Sequence, residues 1–226
     1  MRSPASVRST GAVALAALGS GYHGRVVVAA GTAKQEAAWA LIEERYTGYG
    51  LVLPGDPSFI CQAERCDALC CRAYSVAVND EEVERLAAAT TFPAARFLEC
   101  EDGEPINLPL ERPFVLGRED DHCVFLSQDR SCQQYAARPD TCQLYPHQIL
   151  FVNPSSGRVM QPSPAEQQQA VHALLAGDPV AGSVPLLLRH LECPGFTGPP
   201  TNPADWAALL RVTYALQWGD EATPGG

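Results

Sequence analysis

Eight of the nine cysteines follow a pattern that limits what this chain can fold into. Cys61, Cys66, Cys70 and Cys71 lie within eleven residues, Cys123, Cys132 and Cys142 follow at near-ten-residue intervals, and Cys193 stands apart near the C-terminus. Thiolates gathered in this way suit soft metal ions, because each brings charge and polarisable sulfur, and four complete a tetrahedral shell or the corners of a cluster. A fold that serves such a set must carry distant loops to one place.

Disulfides are the competing explanation. At 226 residues and 46% hydrophobic content, however, the chain can bury a full core as one domain plus extensions without covalent staples. Pairing eight thiols would also leave one over, and the C-x-x-C spacing of a thiol–disulfide redox protein is missing. The clustered spacing favours metal.

The first block reads F-I-C-Q-A-E-R-C-D-A-L-C-C-R over residues 59–72, the second C-V-F-L-S-Q-D-R-S-C-Q-Q-Y-A-A-R-P-D-T-C-Q-L-Y-P over 123–146, and the last C-P-G over 193–195. In order, these resemble the CxxCxxCC family, also called the YkgJ-like family of zinc- or iron-chelating domains, over roughly residues 58–196. The first spacing, C-x4-C-x3-C-C, is looser than the family's name, which leaves open which of its four thiols ligate. The resemblance implies a metal-binding domain whose role is mostly unassigned across the family. A minority of relatives are described as flagellin lysine N-methylases, so an enzyme that methylates protein lysine is the alternative. No glycine-rich nucleotide loop follows a clear strand, and G-R-V-V-V-A-A-G-T at 24–32 lacks the required spacing and reads as a leader or strand.

The net charge of -10 is unevenly placed, since residues 36–226 hold 12 basic against 26 acidic side chains. An acidic body repels phosphate backbones and disfavours a nucleic-acid partner. The most apolar stretch, residues 11–33, is broken by glycines, His23 and Arg25, so a soluble protein with no membrane span is expected. Residues 1–24 are rich in Ser, Ala, Gly and Arg and lack acids, which fits a targeting segment or a disordered start. A cytoplasmic location is expected, or an organellar one if this segment is a transit peptide. A protein substrate or partner is left open.

The expected organisation is α+β: a small, loop-rich cysteine domain with a short antiparallel sheet and flanking helices. Residues 1–31 form the N-terminal segment, 32–57 a helix and linker, 58–196 the metal-binding domain, and 197–226 a helix and tail. Thr32 would cap a helix over 33–46. Residues 73–78 alternate as a strand, and Asn79 with Glu82 begins a helix to about Ala89. Residues 114–116, 124–126 and 150–152 read as strands of a sheet beside the second cysteine block. Ser163, Pro164 and Glu166 open a helix that ends near Gly177, and a short helix is expected over 184–191 before a last one over 203–218.

The candidate ligands are Cys61, Cys66, Cys70, Cys71, Cys123, Cys132, Cys142 and Cys193, holding an iron–sulfur cluster or zinc. Eight exceed one tetrahedral site, so either two sites exist or some of the eight are not ligands. Neighbouring side chains on an extended chain diverge, which would send Cys70 and Cys71 to different metals or leave one out. Their scattered positions resemble cluster ligands more than zinc knuckles. His122, His147 and His190 lie near cysteines and read as supporting donors or solvated groups rather than ligands. Arg138 is expected to make an ordering salt bridge, Tyr135 and Tyr145 to hydrogen-bond or pack at the site, Cys100 to be a free thiol, and Glu119-Asp120-Asp121 to be a solvated turn.

Overall fold

The apolar run Val184-Pro-Leu-Leu-Leu188 organises half of the molecule. In the computed structural model, which describes residues 27–219, this run is an inner strand of the largest sheet rather than the short helix expected. The described chain begins with α1 (Val27–Ala40), β1 (Tyr49–Leu51), β2 (Pro57–Phe59), α2 (Leu69–Arg72), β3 (Ala77–Val78) and α3 (Asp80–Thr90). It continues through β4 (Cys100–Glu101), β5 (Glu104–Pro105), β6 (Phe114–Val115), β7 (Arg118–Glu119), β8 (His122–Cys123) and α4 (Asp140–Leu144). It closes with β9 (His147–Val152), β10 (Val159–Met160), α5 (Pro164–Ala176), β11 (Val184–His190), β12 (Phe196–Pro200) and α6 (Pro203–Trp218). The fold is α+β, and each paired strand is antiparallel to its neighbour.

The principal sheet has the order β1-β11-β9-β10, with Leu186 opposite Leu150 and Leu187 opposite Ile149. Its two faces are both covered. Val184, Leu186 and Leu188 pack with Ala38 and Ile42 beside α1, while Leu187, Ile149 and Phe151 pack with Ala170, Val171 and Leu174 of α5 and Trp206 and Leu210 of α6. A strand buried on both faces needs no alternation, which is why the run carries no period and reads equally as helix. Each fully buried leucine contributes about 1.5–3 kcal/mol.

The helix ends are written locally. Asn79 Oδ1 accepts from the Glu82 amide at 2.9 Å, and Glu82 Oε2 accepts from the Asn79 amide at 2.9 Å, the reciprocal cap expected for α3. Ser163 and Glu166 form a second such pair at the start of α5, and Gly177 ends it at φ 75°. The N-terminal helix differs from expectation: α1 already runs from Val27, so Thr32 lies within it, and it stops at Ala40 before a 3₁₀ turn over Glu43–Arg45. From Val27 onward the expected leader or strand is therefore helix. The rest of the proposed targeting segment, 1–26, and the tail from 220 lie outside the described residues. Among the described residues no helix is long and apolar enough to cross a membrane.

The cysteine-rich half is built differently. Its strands are two-residue pairs: β3 with β6, β4 with β5, and β7 with β8. Only Ala77 and Val78 of the expected 73–78 strand are extended in a ladder. Residues 124–126 are not a strand; the hairpin is β7–β8 around Asp120 and Asp121, whose φ values of 48° and 63° form the exposed turn, and Leu126 makes a single bridge to Cys132. The second cysteine block therefore sits on this hairpin and its loops, apart from the principal sheet. A compact apolar cluster of Val78, Leu86, Phe97, Leu116 and Phe125 underlies it.

Candidate metal centre

A ribbon of β2 and β12 brings the first and last cysteines together. Phe59 pairs with Phe196, and the Ile60 amide donates to the Gly195 carbonyl at 2.7 Å, so Cys61 and Cys193 leave the same end of the ribbon. Gly195 is required by this approach, because a side chain there would meet the Phe59 ring and come within 2.8 Å of the Ile60 carbonyl.

Between them the chain turns through a 3₁₀ segment, Ala63–Arg65, to Cys66, then enters α2 through Ala68 at φ 55°. Cys70 and Cys71 both lie on this one-turn helix, with their sulfurs 3.8 Å apart. The divergence expected of neighbours on an extended strand does not occur, because helical neighbours are separated by about 100° rather than by 180°.

Two arginines tie this segment to the second block. Arg118 donates to the carbonyls of Tyr74 at 2.8 Å, Arg72 at 2.6 Å and Asp121, fastening the end of α2 to the β7–β8 hairpin that carries Cys123. Arg130 donates to the Cys66 carbonyl at 3.1 Å from the turn that carries Cys132. Within that turn, hydrogen bonds from Ser127 and Ser131 hold the exposed Asp129 carboxyl down to about 2. Neither arginine was singled out from sequence. Their partners are main-chain carbonyls, which leave no residue-type signature, and the only local hint is their place in the polar turns G-R-E-D-D-H and S-Q-D-R-S.

Cys142 is placed by α4, whose N-cap residue is Pro139. The helix start is anchored by Glu82, 1% exposed, whose Oε1 accepts from the Asp140 amide at 2.8 Å and whose Oε2 meets Arg112 at 2.6 Å. Arg85 and Arg112 in turn reach the Asp140 carboxylate at 3.0 and 3.6 Å. These contacts to one buried carboxylate hold the second block on α3.

Six of the predicted cysteines, namely Cys61, Cys70, Cys71, Cys123, Cys132 and Cys142, line one cavity of about 70 Å³ with apolar walls from Val76, Leu116 and Phe125. Cys123 is buried at 9% exposure, and Cys71, Cys132 and Cys142 pack on the same apolar cluster. Cys66 and Cys193 lie to one side. All nine cysteines are free thiols. Among the described residues no three Cys, His, Asp or Glu side chains converge to closed ligand geometry.

The electrostatics of this set suit a bound cation. Burial, and then the mutual repulsion of the sulfurs, push the thiols of Cys61, Cys123, Cys142 and Cys193 up, with Cys142 at about 12, and burial does most to raise Cys132. The hydrogen bond between Cys71 and Cys70 lowers Cys70 to about 7 and raises Cys71. A soft cation supplies the charge that lets such a group ionise together, so the donor set fits zinc or iron. Arg138 supplies part of that charge, acting on Cys61, Cys70, Cys132 and Cys142. It makes no carboxylate salt bridge among the described residues; its guanidinium lies 3.7 Å over the Tyr135 ring and donates to the Tyr135 carbonyl at 3.0 Å.

The histidines divide. His147 is buried edge-on against Phe59 and Phe196 and lines a cavity with Cys70 and Cys142, and His122 Nδ1 lies 3.1 Å from the Cys123 carbonyl. His190 stacks against Tyr49 and Tyr145, whose ring, with Tyr74, closes one side of the group. The Tyr145 hydroxyl lies against Cys193, and burial, followed by the nearby thiols, raises it far above the usual phenol range. Tyr74 carried no sequence signal beyond its type. Cys100 is exposed in β4, its thiol against the carbonyls of Ala95 and Leu98, apart from the others.

No curated protein and no solved structure matches the chain. A family model described as "CxxCxxCC: putative zinc- or iron-chelating domain" matches residues 60–170, which include Cys61 through Cys142 but not Cys193. Residues 60–170, which carry the six cysteines gathered at the cavity, are thus a domain of the CxxCxxCC family.

Proposed function

We propose that the cysteine-rich half is a metal centre and that its metal is iron, held as an iron–sulfur cluster by thiolates of the clustered cysteines. The observation that carries this reading is the shared cavity, where thiols from separated segments meet against apolar walls with room for more than one atom. Zinc knuckles draw paired ligands from one short loop, whereas Cys123, Cys132 and Cys142 each come from a different structural element. The apolar lining of Leu116 and Phe125 excludes water, Arg138 offsets thiolate charge, and Arg118 and Arg130 fix the loops that bear the ligands. A cluster so placed supplies one-electron transfer or a Lewis-acidic iron.

Zinc is the second reading, and one distance favours it. Two sulfurs on a tetrahedral ion with bonds of about 2.3 Å lie about 3.8 Å apart, which is the Cys70–Cys71 separation of 3.8 Å. Anaerobic purification with elemental analysis, sulfide determination and a visible spectrum separates the two. Iron with acid-labile sulfide and a broad thiolate-to-iron absorption is expected. Zinc in a colourless protein replaces iron by the second reading, and protein free of both overturns the metal centre.

A further inference from the structure

A second cavity, of about 240 Å³, shares a wall with the metal centre, because Cys70 and Cys142 line both. Its other side is aromatic. His190 stands at the middle of that side, its ring centroid 4.6 Å from Tyr49, 5.0 Å from Tyr145 and 6.5 Å from Tyr74, while Tyr74 and Tyr145 lie 5.9 Å apart. Separate segments deliver the four rings. Tyr49 opposes His190 across the β1–β11 ladder, Tyr145 joins α4 to β9, and Tyr74 follows α2. Burial alone does not account for them, since Tyr74 is 39% exposed and the buried Tyr145 hydroxyl has no hydrogen bond to a protein nitrogen or oxygen.

Charge selects among ligands. No lysine or arginine lines the cavity, and its two histidines, His147 and His190, are lowered by burial and stay neutral near pH 7. The exposed Glu192 stands two residues beyond His190 and acts on both His190 and Tyr74. An anion would find no positive partner here, whereas the negative faces of aromatic rings attract a cation within about 6 Å. A primary ammonium needs acceptors for its N–H donors, but the lining is chiefly rings, thiols and the apolar Val76 and Leu144. The volume lies below the roughly 300 Å³ at which sites for drug-sized ligands begin, so the ligand is small.

We infer that this cavity binds a small quaternary ammonium compound, with its methylated head against Tyr49, Tyr74, Tyr145 and His190. The site depends on the rings and not on which metal, if any, the neighbouring centre holds. A bound head group there lies across the wall of Cys70 and Cys142 from the metal centre.

The test is titration calorimetry of the full-length protein with choline and with its uncharged isostere 3,3-dimethylbutan-1-ol, with metal per folded chain measured on the same samples. Choline should bind saturably and about ten-fold more tightly than the isostere, as a partly desolvated cation over aromatic rings does. Tyr74→Leu, at a ring exposed enough to be replaced without unfolding, should weaken choline about ten-fold, and Tyr49→Leu should do the same, with metal content unchanged. Phe92→Leu, at an exposed ring outside this cavity, should leave the affinity as it was. Equal affinity for choline and the isostere, no binding of choline, or undiminished binding in both tyrosine variants would each overturn the inference. Choline binding to a parent protein free of metal would leave the inference standing and defeat the metal-centre reading. Metal-loaded protein that ignores choline would defeat this inference alone.

Discussion

The two halves of this molecule hold together by different means. Around β9 and β11, Leu186, Leu187 and Leu188 are fully buried between helices on both sheet faces, and the strands pair over six consecutive positions. Around the cysteines, the ladders are two residues long, and cohesion comes from Arg118, Arg130 and the Glu82 network, together with the apolar cluster beneath Phe125. The first half is self-sufficient by burial of apolar area; the second orders loops whose conformational entropy a small core offsets only in part. A metal that binds the folded arrangement stabilises the second half selectively.

Removing the metal is therefore the largest perturbation expected. Structural thiolate sites supply on the order of 10 kcal/mol to the domains they organise. Native-state hydrogen exchange before and after chelation should show amides of residues 61–142 losing protection while those of β9 and β11 keep theirs. Equal loss in both halves would erase the distinction between them.

The reverse experiment strikes the other half. Leu187 is 0% exposed in the cluster with Trp206 and Leu210, so Leu187→Ala should cost about 3–4 kcal/mol in urea unfolding. Metal per folded chain should not change. If this substitution releases metal from protein that is still folded, the sheet and the metal centre are one cooperative unit.

The sequence disclosed these halves unequally. Caps are local, so Asn79 with Glu82, Ser163 with Glu166, and Gly177 could be read directly, and α3, α5 and α6 stand where expected. The cysteine blocks were legible because sulfur is rare and its spacing informative. The strand β11 was hidden because burial on both faces erases the alternation that identifies a strand. The proximity of Cys70 and Cys71 was missed because the short helix α2 carries no periodic signal in four residues. Arg118 and Arg130 were invisible for a third reason: they bind carbonyls, and every residue has one.

His147 lies at the seam between the halves, in β9 but gripped by Phe59 and Phe196 of the ribbon that positions Cys61 and Cys193. Burial first, and then the nearby Arg189 and His190, depress it from 6.5 to about 4. The folded state thus favours the neutral ring, and between about pH 6.5 and 4 the unfolded chain binds the extra proton. Stability from this group is present in full above pH 6.5 and is lost as pH falls toward 4, by up to about 3 kcal/mol. His147→Phe should flatten that part of the pH–stability curve, leaving the contribution of His190, which burial also lowers, and the acid sensitivity of the thiolates. Parallel curves for the two proteins would show that His147 does not couple the seam to pH.

The smallest expected effect tests whether side-chain polarity, apart from metal, holds the cysteine-rich half. Arg112→Met removes the 2.6 Å contact to Glu82 and the 3.6 Å contact to Asp140 while keeping the aliphatic stem. Glu82 retains the amides of Asn79 and Asp140 and the more distant Arg85 at 3.9 Å, so its buried charge is weakened rather than abandoned. The cost should be about 1–2 kcal/mol, the range for hydrogen bonds to charged groups after part of the network survives. Because Glu82 anchors the start of α4, the loss should appear as faster exchange at the amides of 140–144, with metal stoichiometry unchanged. Unaltered stability and exchange would mean that α4 is held by its packing and by Cys142 alone, and the contrast between a half closed by apolar burial and a half closed by polar contacts would narrow to the metal.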